Sequence, residues 1–394
     1  MATTPLPPLT SAAPGGLARS RRRGVPWRHL APDPALAGAT LAAAALGTLM
    51  VHSVARSAES ASSRGFLSRQ LVVLAAGLVA LVLSAALDYR KLRALAPLAW
   101  LGSLVLLAAV LSPLGTEVNS ARSWFAVGAF QVQPSELAKV ALILALAAAG
   151  ASGVGTMPAA RLFGCLALAG VPAALVFVQP DLGTTLVYVA IVLGVLLVAS
   201  ARLRHLAAVV TLGLVGAVGL FSFTDLVEDY QRDRLTAFAV SEGGASSGVE
   251  ASAGYSLDQA KTAIAAGGVR GAGLFNGTQT KGRFVPEQQT DFVFTVVGEE
   301  LGFLGSASLL ALYGVMVWRV WLVAGRARDT FGRLLCVGVL AALVFQIFEN
   351  IGMTLGIMPI TGIPLPFLSY GGSSLVTMSL AVGLVLSVDR HRWT

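Results

Sequence analysis

Apolar runs of about 20 residues recur along almost the whole of this chain, and no other feature limits its possible folds so sharply. Of the 394 residues, 55% are hydrophobic and only 12% are charged. That is about half the roughly 25% charged content usual in soluble domains. Mean hydropathy is +0.75. A soluble core could not hide so much apolar surface. In lipid every backbone polar group must be satisfied within the protein, which leaves helices or a closed barrel. A barrel strand needs only about 10 residues of alternating polarity, so runs twice that length are helical. The chain therefore reads as an all-α polytopic membrane protein.

Ten spans can be drawn, at 34–55, 66–88, 92–112, 134–151, 160–179, 181–201, 204–225, 292–322, 331–356 and 371–389. Residues 1–33, rich in Pro, Ala, Ser and Arg, read as a disordered basic tail. No short apolar core with a cleavage site follows it, so the first span is expected to be retained. The organisation is then 34–225 for spans one to seven, 226–291 for a large outer loop, and 292–394 for spans eight to ten with a short C-terminus. The tight turn Gln179–Pro180–Asp181 makes the fifth and sixth spans an antiparallel pair. Within the large loop, Ser241–Ala253 looks flexible, Tyr255–Ala266 has helical periodicity, and Gly267–Gly277 is glycine-rich. Arg90, Lys91, Arg93, Arg202, Arg204, Arg326, Arg328, Arg333, Arg390 and Arg392 fall on one side of this layout. That bias places both termini in the cytoplasm, although Arg56, Arg64 and Arg69 at the first outer loop run against it.

The net charge of +8 is scattered between spans and not clustered on one soluble face, which argues against nucleic acid as a partner. Cys165 and Cys336 sit inside apolar runs and read as small core residues. His29, His52, His205 and His391 have no ligand spacing to one another. The glycine-rich stretch has no Gly-Lys-Ser/Thr and no strand–helix context, which argues against a nucleotide site.

Asp291 lies in Arg283–Phe294, RFVPEQQTDFVF, where the long polar segment meets an apolar run. An acid just before a helix is a common N-terminal signal, with Thr290 able to cap. A carboxylate at a membrane surface is equally a candidate for chemistry. Glu287 at the same lip weighs toward chemistry, because two nearby acids raise one pKa or recruit a cation. Glu136 and Lys139 stand at i and i+3 behind Pro134 and Ser135, on one face of a helix about one turn in. They either neutralise each other or present a cation to an anionic ligand. Arg122, two residues from Trp124, is either an interfacial anchor or an arginine that forks a phosphate. Asp181 is either a helix-start acid or a site residue. Glu299, Glu300, Glu349 and Asn350 lie deep in their spans, where they must face protein or a wet cavity, with no partner legible.

Four blocks together resemble one family. They are Arg122–Lys139 (RSWFAVGAFQVQPSELAK), Gln179–Thr184 (QPDLGT), Gly277–Gly302 (GTQTKGRFVPEQQTDFVFTVVGEELG) and Asn350–Ser374 (NIGMTLGIMPITGIPLPFLSYGGSS). The resemblance is to the SEDS family (shape, elongation, division and sporulation), polytopic glycosyltransferases of the bacterial cell wall. Thr361–Phe367 (TGIPLPF) and Phe284–Glu287 (FVPE) are similar to its RodA-like elongation branch more than to the FtsW-like division branch. Gly254-Tyr255-Ser256, where the family often has Gly-Tyr-Gln, and the polar insertion Glu242–Ser252 depart from the pattern.

The resemblance implies polymerisation of lipid II into glycan strands at the outer face of the bacterial cytoplasmic membrane. It makes Asp291 the general base, and places Lys139, Arg122, Glu136, Asp181 and Glu287 around the substrate. It further implies a class B penicillin-binding protein as transpeptidase partner, docked on spans eight and nine. A divalent cation, Mg or Mn, is the one cofactor it leaves to consider, with no organic cofactor. A lipid II flippase, or a scaffold that only activates a partner synthase, would suit the same spans and buried charges.

Overall fold

The computed structural model describes residues 33–56, 62–118, 121–128, 130–152, 156–223 and 249–393. The basic tail and most of the Gly/Ser/Ala-rich stretch of the large loop lie outside them. Helices α1 (Pro34–Arg56), α2 (Ser62–Ala86) and α3 (Tyr89–Leu111) come first. Strands β1 (Thr116–Val118), β2 (Ala121–Val127) and β3 (Phe130–Val132) follow, then α4 (Pro134–Gly150), α5 (Ala159–Val178), α6 (Leu182–Val198) and α7 (Leu203–Phe223). After the large loop come α8 (Val249–Gly267), the short α9 (Thr278–Gly282), α10 (Val293–Arg326), α11 (Thr330–Leu355) and α12 (Gly372–Arg390). By length and composition, 7 of these are apolar enough to cross a membrane, and Leu182–Val198 and Leu203–Gly213 are shorter apolar helices. The protein is a multi-pass, all-α membrane protein. Between the third and fourth drawn spans the chain forms an antiparallel sheet of order β1-β2-β3. β1 and β3 hold only 3 residues each, too few for alternation to show, and β2 (ARSWFAV) carries Arg-Ser-Trp-Phe without strict apolar alternation.

Three acids start helices at one end of the bundle. The Asp33 carboxylate accepts from Ala35 N–H (3.0 Å), that of Asp88 from Arg90 N–H (3.0 Å) and that of Asp329 from Gly332 N–H (2.7 Å). Each satisfies an N–H the first turn leaves without a partner, and its charge suits the positive end of the helix dipole. The same acids also join helices. Asp33 pairs with Arg319 of α10 at 2.5 Å, and Asp329 accepts from Tyr89 Oη of α3 at 2.7 Å.

Helices α11 and α12 form the buried centre, while α2 and α3 turn Leu71, Val72, Val79, Val82, Leu83, Leu95, Leu98 and Leu101 outward, as a lipid-facing surface would. The closest approaches are built on glycine. A Cβ on Gly383 of α12 would lie 2.5 Å from the Leu81 carbonyl of α2. One on Gly338 of α11 would lie 2.7 Å from Ile143 of α4, and one on Gly194 of α6 would lie 2.8 Å from Ala341. Small residues let helix backbones approach where lipid supplies no hydrophobic drive.

Helix α10 is broken at Gly302, whose φ of 65° and ψ of −161° only glycine adopts readily. The break frees carbonyls above it and N–H groups below it, and the glycine-rich segment takes both. Ala272 N–H donates to Glu299 O (2.9 Å) and Gly273 N–H to Glu300 O (3.0 Å). In return Phe303 N–H donates to Gly268 O (2.9 Å) and Leu304 N–H to Val269 O (3.2 Å). A Cβ on Gly302 would lie 2.3 Å from Gly271 N, and one on Gly271 would lie 2.1 Å from Glu300 O. Helix α8 leads into this insertion. Its span covers the stretch of helical periodicity seen in the sequence.

Glycine-to-alanine changes should therefore split by position. Gly383→Ala must push α2 from α12 and is expected to lower stability by about 1–3 kcal/mol. Gly314→Ala, which meets nothing within 4 Å, should be neutral or raise it by about 0.5–1 kcal/mol. Thermal unfolding of the two variants in detergent checks the difference in sign.

Candidate active site

Asp291 is half-buried at the top of α10. The N-cap position is Phe292, which makes no side-chain cap bond, so the acid stands one residue outside the helix start. Thr290 does not cap either. Its hydroxyl donates to Glu287 O at 3.1 Å and to Glu287 Oε2 at 3.2 Å. The backbone instead closes a turn in which the N–H groups of Thr290, Asp291 and Phe292 all point at the Glu287 carbonyl, at 3.2, 3.1 and 3.4 Å. Glu287 reaches this geometry in the left-handed region, with φ of 48°, and keeps its side chain exposed. From the other side, Asn350 Nδ2 of α11 donates to the Asp291 carbonyl at 2.8 Å and to the Ile363 carbonyl at 2.7 Å. Tyr370 N–H donates to Gln289 O at 2.8 Å. The loop carrying Asp291 and the Ile357–Tyr370 loop are thus tied to each other and to α11.

A buried polar network supports the turn from below. The Glu299 carboxylate, fully buried, accepts from Gln279 N–H (2.7 Å), Thr280 N–H (2.9 Å), Thr280 Oγ1 (2.7 Å) and Thr278 Oγ1 (3.3 Å). It caps the first turn of α9 from a different helix. Gln288 Nε2 then reaches Thr280 Oγ1 and Thr295 Oγ1, both at 3.2 Å. Glu300 accepts from the Ser53 hydroxyl of α1, and Glu349 accepts from Thr361 Oγ1 at 3.0 Å. These are the partners the sequence did not show. Beside Asp291, a small separate apolar cluster of Ala260, Ala263, Val285 and Phe292 seats α8 under the turn.

The other candidates fall into distinct places. Lys139 Nζ and Glu136 Oε1 are 2.7 Å apart with both side chains 2% exposed, so in this arrangement the pair neutralises itself. Asp181 caps α6 by accepting from Thr184 N–H at 2.9 Å. Its second oxygen accepts from Gln133 Nε2 (3.0 Å) and Ser135 Oγ (3.3 Å) at the start of α4. Ser135 is therefore no cap of its own helix, whose N-cap is Gln133. Arg122 lies on β2, exposed, 3.6 Å from Glu117 across the β1–β2 pair. The sheet is joined to the Gln179–Asp181 turn by Ser123 Oγ donating to Gln179 O at 2.9 Å. The first turn of α6, which Asp181 caps, packs on the Ile357–Tyr370 loop, since a Cβ on Gly183 would meet Ile363 at 2.6 Å. Asp181 and Asp291 are thus linked through Ile363 and Asn350.

A cavity of about 210 Å³ opens beside this turn, between Val51, Val54 and Ala55 of α1, Phe66 of α2 and residues 283–289. Its polar lining includes Arg283 and Glu287. Sequence reasoning passed over Arg283, although it opens the very stretch that ends in Asp291. Among the described residues no group of three or more His, Cys, Asp and Glu is placed to hold a metal ion.

The family model described as cell cycle protein, covering FtsW, RodA and SpoVE, matches residues 35–394. The peptidoglycan glycosyltransferase MrdB of Escherichia coli K12 is 36% identical over 369 residues, covering 93% of this chain and 95% of the relative. The stage V sporulation protein E of Bacillus subtilis is 36% identical over 370 residues, covering 92% and 98%. A solved chain from a peptidoglycan synthase complex, described for coordination of polymerisation and crosslinking, superposes with a TM-score of 0.75 at 35% identity, covering 93% of this chain and 99% of that one. The crystal structure of the rod shape determining protein RodA of Thermus thermophilus superposes with a TM-score of 0.67 at 34% identity, with the same coverage.

Glu299→Gln turns one acceptor into an NH2 group facing donors. It should destabilise the protein by about 1–3 kcal/mol, the cost of leaving buried donors without acceptors. Faster proteolysis between α8 and α10, with a lower unfolding temperature, is the expected readout.

Proposed function

The chain belongs to the FtsW, RodA and SpoVE family of cell cycle proteins, and on that premise we propose that it is a peptidoglycan glycosyltransferase that polymerises lipid II into glycan strands during cell elongation. The observation that carries the assignment to a site is Asp291. It is half-buried, outside its helix N-cap, and held by its backbone from two sides. Glu299, Glu300 and Glu349 serve buried partners, and Asp181 serves a helix start.

Asp291 takes the proton of the acceptor 4-hydroxyl of N-acetylglucosamine. That oxygen attacks the anomeric carbon of the donor N-acetylmuramic acid, its bond to the pyrophosphate breaks, and a β-1,4 linkage forms with inversion. Pyrophosphate is already a good leaving group, so one carboxylate suffices where a glycosidase uses two. Arg122 and Lys139 are the proposed counter-charges for the leaving pyrophosphate, with Lys139 needing to release Glu136 first. Glu287 is the second acid at the lip. Two carboxylates do not make a protein cage, but they suit a Mg or Mn ion shared with a substrate phosphate, which would neutralise charge there. The polyprenyl tail stays in lipid, both termini face the cytoplasm and the site faces outward. The partner is a class B penicillin-binding protein on α10 and α11, where Phe303, Leu304, Trp318, Trp321, Val344 and Phe348 are exposed.

Asp291→Asn should abolish polymerisation of lipid II by the purified protein while leaving its unfolding temperature within a few degrees of wild type. Electrophoresis of glycan products checks this, and normal products from the variant would sink the assignment. A vesicle assay that finds lipid II translocation independent of Asp291 would favour the flippase reading. Chelator added to the wild type tests the shared ion.

A further inference from the structure

Asn350 is fully buried in the last turns of α11, yet both its N–H bonds leave that helix. One goes to the carbonyl of Asp291 and the other to the carbonyl of Ile363, at 2.8 and 2.7 Å. Only the amide nitrogen can face two carbonyl oxygens, so the orientation of the side chain is fixed by its partners. The two carbonyls belong to different loops. Asp291 ends the large loop, and Ile363 lies in the Ile357–Tyr370 loop against which the first turn of α6 packs. Asn350 thus bonds to both segments from beneath. The contact is to the backbone of Asp291, so it fixes where its Cα stands.

We infer that Asn350 is a positioning residue for the proposed general base, holding the Asp291 carbonyl and the Ile363 carbonyl in one fixed relation so that the carboxylate meets the acceptor hydroxyl. This rests on the reading of Asp291 as base. A hydrogen-bonded carbonyl one bond from the Cα of Asp291 fixes the point from which its side chain projects. Misplacement of a reacting group by about 1 Å can lower a rate about a hundredfold. Of the other ties, Tyr370 N–H to Gln289 O and the three N–H groups on Glu287 O are backbone bonds, and the Thr290 hydroxyl bonds only within its own turn. Asn350 is therefore where substitution can loosen Asp291 without touching the groups that bind substrate.

The test uses full-length protein with its transpeptidase partner and lipid II, comparing Asn350→Leu, Asp291→Glu and the double variant. Asn350→Leu is near in volume but donates nothing. It should lower kcat by about 10- to 100-fold with KM within about twofold of wild type. Asp291→Glu already displaces the carboxylate by a methylene, so the double variant should fall within about threefold of Asp291→Glu alone, the two losses failing to multiply. Should Asn350→Leu not fold, Asn350→Ser, which keeps one hydroxyl donor, is read by the same criteria and should lose less. A kcat within twofold of wild type, losses that multiply, or a raised KM at unchanged kcat would each overturn the inference. If Asp291→Asn keeps full activity, the base itself fails. If Asp291→Asn is dead and Asn350→Leu is normal, only the positioning role fails.

Discussion

The backbone exchange at Gly302 is the contact on which the outer half of this protein depends. A helix that crosses lipid cannot leave peptide groups without partners, and α10 breaks nine residues after Val293, roughly 13 Å along its axis. The segment Gly268–Gly273 enters the gap and takes up the freed carbonyls and N–H groups in four bonds. Non-helical backbone there is tolerable because the groups facing the gap are paired with the broken helix, although Gly268, Val269, Arg270 and Ala272 are themselves exposed. The glycines are there because any Cβ at 267, 271 or 302 would collide with the opposing backbone. With the segment pinned, α8, α9 and the turn bearing Asp291 have a fixed base.

The acids of this region divide by what holds them. Glu299 accepts four hydrogen bonds, more than enough to satisfy a buried carboxylate. Asp33, Asp88, Asp181 and Asp329 are helix caps. Glu136 is matched to Lys139 inside the bundle. Asp291 differs in being anchored through its peptide group and only half-buried. A base needs a fixed position near the surface, and anchoring by the backbone supplies it.

The apolar runs made the helices legible, because length and hydropathy are local properties. All ten drawn starts lie within four residues of a helix start, with the widest gaps at Ser62 against the drawn 66 and Tyr89 against 92. The candidate pair Glu136–Lys139 was legible for the same reason, since i and i+3 share a face of any helix. The partners of Glu299, Glu300 and Asn350 were not. Each is set by contacts across 20, 247 or 59 positions that no periodicity encodes. The sheet at 116–132 escaped because β1 and β3 are three residues each and β2 does not alternate strictly between apolar and polar residues. The glycine-rich stretch was visible as composition, but what it cradles is a broken helix of its own chain, which composition does not encode.

A polar reaction on a lipid-borne substrate forces one further constraint. The reacting groups must sit where water and lipid meet, and helix ends there tend to fray. In this chain the ends are tied sideways. Asp181 joins the start of α6 to the start of α4, Asn350 joins the end of α11 to two loops, and Gln133 N–H donates to Ser373 Oγ at the start of α12. Each tie is a hydrogen bond between an element's end and a neighbour, made where the apolar interior stops offering packing. Rigidity at the outer surface thus comes from polar contacts, and rigidity in the interior from glycine-mediated approach of helices. A substitution at the surface should then alter geometry at Asp291 with little effect on the bundle, while a substitution such as one at Gly383 should do the reverse.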